Sequence, residues 1–117
     1  MKNLPLDLEC PVQYALNVFG GKWKVLIIHQ LQDQTLRFSE LKRAISGVTQ
    51  KMLTSQLREL ENDELVKRVV YPQVPPKVEY SLTPFGKTLI PVMDCLCQWG
   101  ETYKNHKLQT ARAEVTI

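Results

Sequence analysis

The sequence contains no long hydrophobic run. Its longest unbroken apolar stretch is Val25–Ile28, far below the roughly 20 residues that cross a bilayer. The first residues, MKNLPLDLE, lack the apolar segment of a signal peptide. We therefore expect a cytoplasmic protein without a membrane anchor.

Cysteine is scarce. Cys10, Cys95 and Cys97 have neither the paired C-x-x-C knuckles nor the histidine partners of a zinc site. In a reducing cytoplasm these side chains stay thiols, so a disulfide framework is not expected. We expect no metal site and no cofactor.

Patterns that mark enzymes are missing as well. The chain has no Gly-rich phosphate loop, no paired carboxylates and no nucleophile beside a base at a usable spacing. His29 and His106 lack the partners that catalysis or metal binding requires. A chain of 117 residues also leaves little material for a deep cleft. We expect one domain, residues 1–117, that binds a partner through its surface and is not an enzyme.

Charge is mild in total but uneven along the chain. A net charge of +3 is common among soluble proteins. The middle of the chain is basic with a single acid, Glu40, and then turns acidic. The basic residues are Arg37, Lys42, Arg43, Lys51 and Arg58, and the acids that follow are Glu59, Glu61, Asp63 and Glu64.

Apolar spacing predicts four helices in the first half of the chain. Pro11 favours a helix start after Cys10, Ser39 is the expected N-cap of the third helix, and Thr49 is the expected N-cap of the fourth. Ser46-Gly47-Val48 is the turn between the last two. The predicted helices cover residues 10–19, 23–33, 37–45 and 49–62.

A β-hairpin follows the fourth helix. Val66–Tyr71 and Val78–Leu82 have strand-like composition, and YPQVPPK between them predicts an exposed, stiff tip. Short helix, turn, helix and hairpin form the order of a winged helix-turn-helix. The predicted fold class is mainly α with a small β-hairpin wing.

The last helix is predicted over residues 84–103, with Thr83-Pro84 as cap and first turn. Pro91 should kink it or divide it in two. Lys104–Ile117 shows no strong pattern, and we expect this polar tail to be partly disordered. Apolar residues recur along the helix at alternating spacings of four and three, the pattern of a helix–helix seam: Phe85, Leu89, Val92, Leu96, Trp99 and Tyr103.

The fourth helix divides into two faces. Leu53, Leu57 and Leu60 form an inner stripe. Side chains able to bind base edges and phosphates point outward: Gln50, Lys51, Thr54, Ser55 and Arg58. The acids at the far end would be repelled by phosphate, so the N-terminal half should enter a major groove. Alternatively, this is an ordinary solvated amphipathic helix.

Basic residues outside this helix are further candidates for DNA contacts. Arg37, Lys42 and Arg43 on the preceding helix either bind phosphates or are ordinary surface charges. Lys77, at the tip of the hairpin, either reaches a neighbouring groove or faces solvent.

The runs CPVQYALNVFGGKWKVLIIHQL, LRFSELKRAISGVTQKMLTSQLRELENDELVKRVVYPQVPPKVEYSLTPFGKTL and CQWG resemble the HxlR-type family of bacterial winged-helix transcriptional regulators. The resemblance covers Cys10 to Gly100. It implies a homodimer built by the first and last helices on a palindromic operator. It also places the recognition segment at Thr49–Glu61 and the wing at Tyr71–Val78.

The seam on the last helix supports dimerisation independently, although it could instead pack on the domain's own core. The function expected is sequence-specific binding of double-stranded DNA in transcription regulation. The alternative is a winged-helix module that binds proteins without specific DNA binding, because fold does not fix function.

Cys10 is a candidate redox sensor. It precedes Pro11 at a helix start, where free N–H groups and the positive end of the helix dipole favour thiolate over thiol. The resemblance implies redox or electrophile sensing, since several family members use a cysteine in this C-P-V motif. Alternatively, Cys10 is a capping or half-buried structural residue. Cys95 and Cys97 are two apart on a helix and cannot bridge each other, so we interpret them as interface or core residues.

Overall fold

The computed structural model describes residues 10–115. The chain forms two compact units, the first ending at Lys87 and the second beginning at Thr88. Within the described part, no helix combines the length and apolar character needed to span a membrane. The elements are, in order, α1 (Pro11–Phe19), α2 (Lys22–Gln30), β1 (Leu36–Arg37), α3 (Phe38–Ala44), α4 (Gln50–Asn62), β2 (Val66–Tyr71), β3 (Lys77–Leu82), a 3₁₀ helix (Gly86–Leu89) and α5 (Ile90–Val115).

Helix α1 has the predicted bounds. Cys10 is its N-cap residue and Pro11 occupies its first turn, while the Gly20 N–H closes the helix on the Leu16 carbonyl at 2.7 Å. Helix α2 starts after Gly21, whose φ of 89° favours glycine. The predicted end near Asp33 is wrong, because α2 stops at Gln30 and the chain turns toward β1.

The sheet has three antiparallel strands in the order β1-β3-β2, and not the two of the predicted hairpin. Leu36 pairs with Tyr80 and Arg37 pairs with Glu79, which makes β3 the central strand. A strand of two residues is too short to show an alternating pattern, so the sequence did not predict it. The hairpin strands match their prediction, except that β3 begins at Lys77, one residue earlier.

The prediction of Ser39 as N-cap is wrong. Helix α3 begins at Phe38 and Arg37 is its N-cap residue. The Arg37 N–H donates to Glu40 Oε1 at 2.8 Å, so the carboxylate satisfies the first backbone group. Because Arg37 also pairs with β3, the chain passes directly from the sheet into α3.

The core of the first unit lies between helices α2, α3 and α4 and the sheet. Apolar side chains recur on one face of each helix and are removed from water, which supplies the main favourable term for folding. The buried residues include Ile27, Ile28, Leu41, Ile45, Leu53, Leu57, Leu60, Leu65, Val66, Tyr80 and Leu82. This core fixes which face of α4 points outward.

The prediction of one helix over residues 84–103 needs correction. The Gly86 N–H donates to the Thr83 hydroxyl at 2.8 Å, so Thr83 caps the 3₁₀ helix as expected. Pro91 lies in the first turn of α5, where its missing N–H costs little, and it marks the predicted division. The expectation of partial disorder in the tail is wrong up to Val115, because α5 continues to that residue. Thr116 and Ile117 lie outside the described residues.

Candidate nucleic-acid interface

The turn between α3 and α4 has the predicted glycine in a conformation that requires it. Gly47 has a φ of 87°, a region where a Cβ is strained. After this turn, Thr49 Oγ1 accepts from the Met52 N–H at 3.1 Å, which confirms Thr49 as the N-cap of α4. Short-range geometry therefore sets the direction in which α4 leaves α3.

The predicted division of α4 into two faces is confirmed. Leu53, Leu57 and Leu60 are at most 2% exposed. The outward residues are exposed except Thr54, which is half-buried. Together with Glu59 they line one shallow, open depression: Gln50, Lys51, Thr54, Ser55 and Arg58.

Most of these outward side chains make no contact that would hold them to the protein. Among residues 10–115, the side chains of Gln50, Lys51, Ser55 and Arg58 have no hydrogen bond or ion pair. Thr54 differs, because its hydroxyl donates to the Gln50 carbonyl at 2.8 Å. Its oxygen can therefore still accept a bond, for example from an exocyclic amino group of a base.

The acids after Arg58 do not share one role. Glu59 forms an ion pair with Lys24 of α2, a residue that is 4% exposed. Glu61 and Glu64 are exposed. Sequence reasoning missed the structural role of Glu59, since nothing in the pattern of α2 marks Lys24 as buried.

The basic residues of the preceding segment are all exposed. Arg37 ends β1, while Lys42 and Arg43 lie in the last turn of α3. Within the part of the chain that the structure describes, none of the three side chains has an ion-pair partner. Their contact with phosphate stays a prediction.

Lys77 is not at the tip of the wing, which corrects its predicted position. It is the first residue of β3, and the tip is formed by residues 72–76. Lys77 Nζ lies 3.3 Å from Glu79 Oε2 and 4.8 Å from the centre of the Tyr71 ring. Its ammonium group therefore has partners within the hairpin, and a DNA contact would have to compete with them.

Arg68 of β2 was missed by sequence reasoning. Its side chain is exposed and lines a second depression together with Arg58 of α4. The signal was available, since Val66, Arg68 and Val70 are two residues apart and share one face of the strand. Arg68 is thus a charged residue between two apolar residues on that face.

Comparison with known proteins agrees with this geometry. Residues 18–108 match the HxlR-like helix-turn-helix family. The chain belongs to this family. An uncharacterized HTH-type transcriptional regulator of Methanothermobacter thermautotrophicus is 54% identical over 98 residues, covering 84% of this chain and 75% of that protein.

Two solved structures of a redox regulator are similar to this HxlR-like chain. The redox regulator HypR in its reduced form has a TM-score of 0.80 and 49% identity, covering 86% of this chain and 99% of HypR. HypR in its oxidized form has a TM-score of 0.76 and 54% identity, covering 80% and 96%. The winged helix-turn-helix fold and a role in transcription regulation are thus features that this HxlR-like chain shares with its relatives.

Two helices of the HxlR-like chain expose apolar side chains. Helix α1 buries none of its residues, and Val12 and Leu16 are more than half exposed. On α5, the rings of Trp99 and Tyr103 stack at 5.5 Å. The predicted seam is exposed at Phe85 62%, Val92 39%, Leu96 47%, Trp99 65% and Tyr103 49%, with Leu89 half-buried.

All three cysteines of the HxlR-like chain are exposed free thiols. Cys10 occupies the N-cap position of α1 without a side-chain capping bond, and its exposure contradicts the half-buried alternative. Exposure of Cys95 and Cys97 likewise overturns the interpretation of these residues as core fillers. An interface role for them stays a prediction.

Proposed function

We propose that this chain is a homodimeric regulator that binds a palindromic operator in double-stranded DNA with sequence specificity, and that oxidation or alkylation of Cys10 changes this binding. In this proposal the N-terminal half of α4 enters the major groove. Arg37, Lys42 and Arg43 contact phosphates beside it.

The observation that carries the proposal is the outward face of α4. Gln50, Lys51, Ser55 and Arg58 are exposed and uncommitted, and these side-chain types bind base edges and phosphates. The Thr49 cap and the buried leucine stripe hold the helix beneath them in place. Because α4 is held in this way, it can enter the groove without a large loss of conformational entropy.

Four exposed residues of the seam lie on α5 and support the homodimer: Val92, Leu96, Trp99 and Tyr103. Large apolar side chains in a row along one helix are costly to leave in water and mark an interaction surface. A second copy of the chain presents the same row and can cover it by twofold symmetry. Two recognition helices related by a twofold axis read half-sites about one helical turn apart.

Exposure of Cys10 and similarity to HypR support the redox response. An exposed thiol at a helix start is accessible to oxidants. Hydrogen peroxide would transfer one oxygen to the Cys10 thiolate, giving sulfenic acid and hydroxide. Since Cys10 directly precedes α1, which exposes Val12 and Leu16, the added polar group would alter an interface that includes the start of this helix.

Titration against duplex DNA from beside the gene, with random-sequence duplex as competitor, tests the DNA-binding proposal. Lys51→Ala should weaken binding about tenfold, while Lys67→Ala, which removes an exposed lysine from β2, serves as the matched control. Equal affinity of Lys51→Ala and Lys67→Ala would contradict the assignment of α4. A wild-type complex with another protein that is insensitive to salt and DNA would favour the interaction module.

A further inference from the structure

The register of the hairpin places Arg68 on the side of the sheet that packs against α4. Arg68 is paired with Tyr80, which is 8% exposed, while its neighbour Lys67 is paired with Ser81 on the opposite face. Val66, on the same face as Arg68, is buried in the core. Arg68 therefore projects from the edge strand β2 toward the recognition helix.

Arg68 and Arg58 line one depression, whose floor includes the buried residues Leu57 and Tyr80. Arg58 also lines the depression on the outward face of α4. The surface that carries the proposed DNA contacts therefore continues from α4 through Arg58 onto β2.

Neither guanidinium in this depression is neutralised. Within residues 10–115, Arg58 and Arg68 have no ion pair or side-chain hydrogen bond. The Thr54 hydroxyl, which also borders the depression, donates its proton to the Gln50 carbonyl. The donors that this depression offers a ligand include the N–H groups of the two arginines and the hydroxyl of Tyr80.

We propose that Arg58 and Arg68 together bind one phosphate of the DNA backbone, and that β2 is thereby part of the DNA interface. This inference rests on the proposed DNA-binding function. A guanidinium presents parallel N–H donors that match phosphate oxygens. Two such groups from separate elements would fix the position of α4 along the groove without reading sequence.

Glu61 lines the same depression and reduces its formal charge to +1. Its carboxylate repels a bound phosphate, so it weakens the contact that the arginines make. Glu61→Gln removes this repulsion. The proposal therefore predicts opposite effects for substitutions on opposite sides of one depression, because Arg68→Gln weakens DNA binding and Glu61→Gln strengthens it.

The test compares Arg68→Gln with Lys67→Gln, which removes the same charge from the adjacent residue on the other face of β2. Both are titrated across a series of salt concentrations against two probes: a duplex enriched by the wild-type chain from a random pool, and a random-sequence duplex. Arg68→Gln should lose about tenfold in affinity on both probes. The slope of log affinity against log salt should fall by up to about 2, since each protomer of a dimer loses one of the two cations that contact its phosphate.

Further variants separate this role from a structural one. Arg68→Lys keeps the charge and should restore most of the salt slope but only part of the affinity. Glu61→Gln should raise affinity on both probes. Circular dichroism and thermal unfolding check that each variant is folded. If Arg68→Gln does not fold, Arg68→Lys takes its place in the comparison with Lys67→Gln.

Three results would overturn the proposal. Equal affinities of Arg68→Gln and Lys67→Gln would mean that Arg68 makes no contact. A loss on the enriched duplex alone would mean that Arg68 reads a base. If the wild-type chain itself enriches no sequence and binds no duplex, the proposed function fails together with this inference, and that outcome is distinct from a defect confined to Arg68→Gln.

Discussion

Lys24 Nζ lies 2.5 Å from Glu59 Oε1, joining α2 to the recognition helix α4. The lysine side chain is 5% exposed and the glutamate side chain 41%, so the pair has one buried and one accessible end. Glu59 neighbours Arg58 on α4, whose outward face is proposed to bind DNA. The ion pair therefore helps to set the rotation of α4 about its own axis.

The two partners of this pair should differ in how much they stabilise the fold. Glu59→Gln leaves a buried ammonium without its carboxylate and should lower the free energy of unfolding by about 2–4 kcal/mol. Lys24→Met fills a similar volume and leaves a carboxylate that water reaches, so its cost should stay below about 1 kcal/mol. Urea unfolding at fixed protein concentration measures both. An equal decrease in the free energy of unfolding for both variants would contradict the claim that an unpaired buried ammonium is the main destabilising factor.

Gly47 offers a second test of how α4 is positioned. Because its φ is 87°, Gly47→Ala should lower the free energy of unfolding by about 1–2 kcal/mol. Steric conflict is not the cause, since an added Cβ would lie 3.8 Å from the nearest atom, Cη2 of Trp23. Ser46→Ala, in the same turn and exposed, is the control and should change stability little. A neutral Gly47→Ala would mean that the turn relaxes to another conformation.

If the seam residues of α5 form the dimer interface, one charged substitution among them should weaken the dimer. Trp99→Glu should raise the dissociation constant of the dimer about 100-fold, with little change in the fold of each protomer, because Trp99 is 65% exposed in the single chain. Leu108→Glu is the matched control, since Leu108 is 49% exposed and lies roughly 160° around the helix from Val92. Sedimentation velocity measures both. Dimers that survive Trp99→Glu but not Leu108→Glu would place the interface on the other face of α5.

Cys10 is predicted to carry the response to oxidants. Hydrogen peroxide should change the DNA affinity of the wild-type chain, and Cys10→Ser should abolish that change because it removes the exposed thiol at the start of α1. A variant with Cys95→Ser and Cys97→Ser keeps Cys10 and should respond as the wild type does. A response that persists in Cys10→Ser would remove Cys10 as the sensor.

The recognition helix could be predicted from the sequence because several local signals agree. Thr49 supplies a cap, Gly47 supplies a turn, and the leucines at 53, 57 and 60 repeat with the helical period. Each of these signals acts within a few residues, so no knowledge of distant contacts was needed.

Other features depend on residues far apart in the chain. Strand β1 exists because Leu36 and Arg37 pair with β3, more than 40 residues later, and burial of Lys24 depends on Glu59 in another helix. The helix after Lys104 has no apolar period, but its residues are good helix formers that extend an α5 already nucleated upstream. The apolar pattern alone therefore predicted too short a last helix and did not predict strand β1.

Selection of bound sequences from a random pool of duplex DNA tests the central claim most directly. If a dimer reads DNA through two copies of α4, the wild-type chain should enrich an inverted repeat whose half-sites are centred about 10 base pairs, one helical turn, apart. Lys51→Ala should enrich it poorly, and Lys67→Ala should enrich it as the wild type does. A pool that stays random, or an enriched single site without symmetry, would contradict the account.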